Sequence, residues 1–481
     1  PMRSLNLPVA LLVFLHFALL PVFSSDSPDF SIIRYTPELS SDNPTIKTGS
    51  SVLSATPDNP LPDLSISFIS MSPIYERYRV IYKDISRFPL LVNPNAKYSP
   101  DVQEPVTFTA HISNQGFAPA NNVLIRWAID DSPVSNTSRA SVNSCETFLS
   151  RLTIPWPKLP QNISLTVSCD DTEVSNDNNH LAQLTHALRI QFLVTHEFLE
   201  TFNSNKNDLT NTYCFADWLQ KHFEKFNSIL ANSIYSSAPN GALDRITLDR
   251  IKVLDIPYQE KFALTANIFD DVLGIRYYDG TWILGNPPSG FIPQDQDSIE
   301  SPDMTTEQII CTAWADYYFQ HFRAELDFGL LHELGHQIGL IDEGVIELPA
   351  NNRTFPGVSF SFPGGMREYC PSLMHGQGDF LSEHSVLALN TNYLKRRGYY
   401  AEFLYDLPET IGIKLVDPIG NPVSAAELRF YQDKGSGGIF LRHIPELDGW
   451  TDTAGCYILP NRDVSGERVT ATGHILRNNP F

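Results

Sequence analysis

One stretch, Phe328-Gly-Leu-Leu-His-Glu-Leu-Gly-His-Gln-Ile-Gly-Leu-Ile-Asp342, constrains this chain more than any other. On a helix, His332 and His336 lie one above the other on the same face, a spacing that suits two ligands of one tetrahedral Zn²⁺. Glu333 follows the first histidine and points toward the open side of such an ion, where it can take a proton from a water molecule. Gly339 comes three residues after His336, where a helix can stop in a left-handed turn that glycine enters without penalty. The turned chain can bring a third ligand back, and Asp342 is the oxygen donor at that point. Glu343, Glu347 and Glu368 fall in or near the interval between Asp342 and Met374 and are rival carboxylates, and the surroundings of Pro356 are a Pro/Gly/Phe-rich loop without a glutamate.

His332-Glu-Leu-Gly-His336-Gln-Ile-Gly-Leu-Ile-Asp342 resembles the elongated zinc motif of the metzincin metallopeptidases, in the variant that carries aspartate where most members have a third histidine. Ser372-Leu-Met-His-Gly376 resembles the Met-turn of that clan, with Met374 beneath the metal; Gly376 stands where some members have a tyrosine. The resemblance covers roughly residues 188 to 398. It implies that His332, His336 and Asp342 hold Zn²⁺, that Glu333 is the general base, and that Met374 supports the site without doing chemistry. The latency cysteine of many metzincins is absent, since the first cysteine is Cys145.

Residues 1–24 read as a signal peptide: Arg3 precedes a largely apolar run from Leu7 to Phe23, and cleavage is expected near Ser24. No membrane insertion is expected once it is removed. Residues 25–62 are rich in Ser, Pro, Asp and Thr and read as a linker or disordered leader. A formal charge of −21 without a basic block argues against nucleic acid and anionic membranes as partners.

Residues 63–184 alternate like strands. Val106, Phe108, Ala110 and Ile112 share one face, as do Val123, Ile125, Trp127 and Ile129, with turns at Asn114-Gln-Gly116 and Asp130-Asp-Ser-Pro133. This order is similar to the cell-adhesion-related CARDB domain, an Ig-like β-sandwich. Its acidic loop from Asp170 to Asn179 offers oxygens to a structural Ca²⁺ but lacks EF-hand spacing, and a solvated loop is the simpler reading.

Residues 185–400 are expected to form the catalytic domain. It opens with a strand at Leu188–Val194 and a helix from Asp217 to Leu230 that buries Leu219, Phe223, Phe226 and Leu230. Strands are expected at Ile246–Ile251 and Leu273–Tyr278, a helix from Thr305 to Phe322, and a last helix from an N-cap at Ser382 to about Arg396. In the metzincin plan an antiparallel edge strand binds extended substrate by β-augmentation, and the region Tyr277 to Leu284 is the candidate. Residues 401–481 resemble the carboxypeptidase-regulatory-like β-sandwich, cut short at Phe481 without a closing strand. Cys145 and Cys169 could bridge within the first sandwich, and Cys214, Cys311 and Cys370 share the catalytic domain.

The expected fold class is therefore multidomain: an α+β zincin of the metzincin type between two all-β, Ig-like sandwiches. The expected function is a secreted zinc endopeptidase acting on protein or peptide, with the sandwiches offering a surface to a cell-surface or matrix ligand. Two other classes stay open: an adhesive surface protein with an inactive peptidase-like module, and an amidase on cell-wall peptide.

Overall fold

The computed structural model describes residues 60–77, 97–196, 198–200, 202, 214–254, 274–285, 311–314, 326–340, 343, 372–375, 378–397, 412–430, 447–459, 468–469 and 475–476. The expected signal peptide and nearly all of the linker lie outside them. The described chain is mostly β-sheet with few helices.

Seven antiparallel strands build the first unit: β1 (Leu64–Ser72), β2 (Pro105–Asn114), β3 (Ala120–Ile129), β4 (Ser132–Val142), β5 (Thr147–Pro155), β6 (Asn162–Ser168) and β7 (His180–Leu184). They pair in the orders β1-β2-β5 and β4-β3-β6-β7. The alternation in β2 and β3 does what period-2 patterning requires, since Val106, Phe108, Ala110, Ile112, Val123, Ile125 and Trp127 all turn into one shared core. Trp127 keeps its indole N–H satisfied by donating to Ser150 Oγ at 2.9 Å. The bridge between Cys145 and Cys169 does not form. Both are free thiols, Cys145 exposed and Cys169 partly buried, as are Cys214 and Cys456.

The second unit centres on a parallel sheet in the order β11-β10-β8-β9, formed by β8 (Leu188–Thr195), β9 (Ile246–Leu254), β10 (Gly280–Gly285) and β11 (Cys311–Trp314). Every residue of β8 is buried, the near-continuous burial of a strand covered on both faces. Helix α1 (Phe215–Asn232) crosses between parallel β8 and β9, and its Leu219, Phe223, Phe226 and Leu230 all enter the core. Phe192 of β8 stacks on Trp282 of β10 with ring centroids 5.7 Å apart and meets Phe215 and Phe223 edge-on.

Three sequence expectations are corrected in this unit. Leu273–Tyr278 is not a strand over its described part: Gly274 at φ +67° breaks the extended chain, Ile275–Tyr277 forms a 3₁₀ turn, and the strand starts at Gly280. The helix expected over Thr305–Phe322 is a strand at Cys311–Trp314, where pairing with β10 overrides helical spacing; its other residues lie outside those described. The region Tyr277 to Leu284 offers no substrate-binding edge, because β10 is hydrogen-bonded on both sides, to β8 and β11, and both pairings are parallel.

The two units share a seam at β1. Phe68 leaves the sandwich and joins the core of the second unit. Ser65 Oγ donates to Asp217 at 2.7 Å, Gln220 Nε2 donates to the Ser67 carbonyl at 2.8 Å, and Met71 N donates to Asp249 at 3.1 Å. Arg77, just past β1, is buried against Asp279 at 2.7 Å. Toward the C-terminus the described residues hold short paired strands, among them β12 (Gly412–Lys414) with β15 (Cys456–Ile458) and β13 (Glu427–Phe430) with β14 (Leu447–Trp450). Ile413 and Leu459 form their small core. A closed second sandwich is not seen among these residues.

Candidate metal centre

Helix α2 (Phe328–Gln337) carries the motif. Its start is held twice. The Asp327 carboxylate caps it, accepting from Gly329 N at 2.8 Å, and Asp327 N donates to His222 Nε2 at 2.8 Å. His222 Nδ1 lies 2.8 Å from the Trp218 carbonyl, which can only accept, so the ring carries its proton on Nδ1. Burial pushes the His222 pKa down to about 4, which keeps the imidazole neutral and able to accept from Asp327 N. His222 thereby docks α1 to the first turn of α2.

The end of α2 is a Schellman motif. Gly339 at φ +101° donates to the His336 carbonyl at 3.0 Å, and Leu340 N donates to the Gly335 carbonyl at 3.0 Å. This turn brings the Leu340 carbonyl to 2.9 Å from His336 Nδ1. A second carbonyl, that of Leu373, lies 2.8 Å from His332 Nδ1. Each carbonyl requires the proton on Nδ1, so in the neutral rings both Nε2 atoms present lone pairs. Those two atoms face each other 3.1 Å apart.

Two ring nitrogens this close can share a cation, either the proton of one ring or a metal ion. Two nitrogens bound to one tetrahedral Zn²⁺ at ordinary bond lengths stand about 3.3 Å apart, so the observed pair fits with little movement. A Glu333 carboxylate oxygen lies within 4.8 Å of a ring nitrogen of each histidine, and this trio is the group of potential metal-ligating side chains found among the described residues. His336 is buried, while His332 and Glu333 are half-buried. Asp342 lies outside the described residues, as do Glu347 and Glu368.

Leu373–His375 forms a 3₁₀ turn with Met374 fully buried against Gly335 of α2. Glu343, weighed above as a rival ligand, has another use. Its buried carboxylate accepts from the hydroxyls of Ser372, Ser382 and Ser385, the last at 2.7 Å. Ser382 is the N-cap of α3 (Glu383–Thr391), as expected, accepting from Ser385 N at 3.1 Å. The helix ends at Thr391 rather than near Arg396, with Asn392 closing it. Sequence reasoning missed His222 and the role of Glu343. The signal for the second was present: three serines at 372, 382 and 385 beside a glutamate that follows the motif.

No protein-family model matches the chain, and no curated protein matches it. Among solved structures, the CARDB domain of a Pyrococcus furiosus protein, in complex with di-metal ions, is 15% identical, with 26% of this chain and 86% of that one covered and a TM-score of 0.18. A domain of a cell surface protein from Methanosarcina acetivorans is 18% identical over 26% of this chain and 90% of that one, TM-score 0.17. A β-galactosidase from Bacteroides fragilis matches at 13% identity over 39% of this chain and 38% of that one, TM-score 0.18. At such scores none of these likenesses decides fold or function. The sandwich rests on its own strand pairing. Among the described residues, no helix is long and apolar enough to cross a membrane.

Proposed function

We propose that this chain is a secreted zinc-dependent endopeptidase of the metzincin type, with its catalytic domain around α2. The observation that carries the reading is the pair of imidazole Nε2 atoms at 3.1 Å, each forced to present a lone pair by a carbonyl on its Nδ1. His332 and His336 would hold the ion, with Asp342, which lies outside the described residues, as the expected third ligand. When bound, Zn²⁺ supplies Lewis acidity toward the scissile carbonyl and makes a nearby water more acidic. Glu333, within 4.8 Å of a ring nitrogen of each histidine, takes the proton of the attacking water and delivers it to the leaving amine. The Leu340 and Leu373 carbonyls keep both rings in the metal-binding tautomer. Met374 and the Glu343–serine clasp hold the Leu373 carbonyl in place.

Metal analysis of the purified chain tests this reading. One zinc per chain is expected, with metal and casein hydrolysis lost together in His332→Ala, His336→Ala and Asp342→Ala. A folded wild-type protein that takes up no zinc would sink the proposal. Metal retained in Asp342→Ala would remove that residue from the ligand set.

A further inference from the structure

Asn136-Thr-Ser138 has the acceptor pattern of an N-linked glycan. Most positions in a sandwich could not carry one, since a branched sugar needs open space around its side chain in the folded state. Asn136 lies on β4, the outer strand of the sheet β4-β3-β6-β7, so its strand has no neighbour on one side in that sheet. It pairs with Arg126 of β3, and Arg126 pairs onward with Thr166 of β6. Ile125 and Trp127, on either side of Arg126, are buried in the shared core, so Arg126, Thr166 and Asn136 belong to the opposite, outward face. All three are exposed, as are Thr137 and Ser138.

Asn162-Ile-Ser164 and Asn352-Arg-Thr354 share the pattern. Asn352 lies outside the described residues. Asn162 opens β6 between β3 and β7, half-buried, with its N–H on Asp130 Oδ1 at 2.9 Å and its carbonyl accepting from Asp130 N at 2.8 Å. The hydroxyl of its pattern, on Ser164, is buried. Among the described residues, Asn136 is therefore the acceptor with room around it. Its strand also has something to hide. An open edge strand is a template for a strand of another chain, and folds blunt such edges with charge, proline or bulges. β4 is 11 residues long, with Pro133 and a register irregularity near its start. From Ser135 to Val142 it has no further proline and no acidic residue, and its one cation, Arg139, is held in an ion pair with Glu146. The edge strand on the far side of the same sheet, β7, has only 5 residues.

We infer that Asn136 is a glycosylation site, and that its N-linked glycan shields the open edge of β4. The chain is the acceptor in this step, and the donor is a lipid-linked oligosaccharide of a secretory route. A bond forms between the Asn136 amide nitrogen and the anomeric carbon of the first sugar. The bond from that carbon to the diphosphate of the lipid breaks, the nitrogen gives up one proton, and the lipid diphosphate leaves. Ser138 supplies the hydroxyl that the acceptor pattern requires two residues on. A bulky hydrated group on the outer strand then excludes a second strand from the edge. This inference rests on the secreted reading of the chain, and not on zinc or peptidase chemistry at His332.

The test is to produce the full chain in cultured eukaryotic cells behind its own residues 1–24. Medium and cells are then analysed separately by peptide mass spectrometry, before and after peptide N-glycosidase. The prediction is protein in the medium with a glycan on the peptide that contains Asn136. Asn136→Gln and Ser138→Ala should lose that glycan, and Ser138→Thr should keep it. In sedimentation, protein freed of the glycan by enzyme should self-associate at lower concentration than the glycosylated form, with Asn136→Gln behaving alike. If Asn136→Gln does not fold, Ser138→Ala and enzymatic removal supply the same comparison. Secreted protein with a bare Asn136 would overturn the glycan and leave secretion standing. A chain retained in the cytosol would overturn both. A glycan whose removal leaves association unchanged would overturn the shielding of β4.

Discussion

Gly335 of α2 and Met374 of the turn beneath it approach so closely that a Cβ added to Gly335 would lie 2.4 Å from the Met374 sulfur. An exposed helical glycine replaced by alanine ordinarily gains about 1 kcal/mol. Here the clash should dominate, since overfilling a packed site costs about 1–3 kcal/mol. Gly335→Ala is expected to lower stability in urea unfolding and to weaken zinc retention, because Met374 moves together with the Leu373 carbonyl that orients His332. A stabilised variant would show that the turn can yield without consequence.

His222 should make the protein acid-sensitive in a defined window. Its pKa is about 4 in the fold against an ordinary value of 6.5, so between those values the unfolded chain binds a proton that the native chain refuses. This contribution to stability therefore falls as pH drops from about 6.5 to about 4. His222→Leu should remove that slope while leaving Asp327 N–H buried without an acceptor, at a loss of about 1–3 kcal/mol at neutral pH. Unfolding midpoints of both proteins across the window check the sign. An unchanged slope would mean that other groups carry it.

Glu343 should behave as a brace and not as a ligand. Glu343→Gln weakens the charge-assisted bonds from Ser372, Ser382 and Ser385, each worth about 1.5–3 kcal/mol. Lower unfolding stability is expected, with zinc content unchanged under chelator competition. Zinc lost from a well-folded variant would restore Glu343 to the ligand set.

Asp63 predicts the opposite pH trend from His222. Burial, followed by repulsion from Asp217, pushes its pKa up to about 7 from 3.8, and Glu173 adds to the repulsion. Asp217 and Glu173 are themselves shifted upward, mainly by burial. The native state holds a proton that the unfolded chain has released, so stability should fall as pH rises from about 4 to about 7. Calorimetry of the wild type and Asp63→Asn at several pH values measures it, and an unchanged slope in the variant would mean that other groups carry it.

What the sequence revealed follows from how local each signal was. Period-2 alternation placed Val106 to Ile112 and Val123 to Trp127 in one core, and helical spacing placed Leu219 to Leu230, because one element determines each pattern. The left-handed turn at Gly339 was readable for the same reason. Parallel pairing is not local. Nothing near Trp282 announces that β8 and β11 will occupy both its edges, so the strand was assigned a substrate-binding edge it does not have. His222 looked like one more residue of a packed helix, since its partner Asp327 is more than a hundred positions away. Asp63 lay at a domain boundary, where no motif marks a carboxylate whose neighbours come from the loop 170–179 and α1.

The proposed function rests on Glu333 beside His332 and His336. The most direct test compares zinc content and casein hydrolysis of the wild type with those of Glu333→Gln. The prediction is one zinc in each protein, with turnover lowered in the variant by about 10²- to 10⁴-fold, the share a general base contributes. Equal turnover in the two proteins, or none in a fully zinc-loaded wild type, would contradict the account.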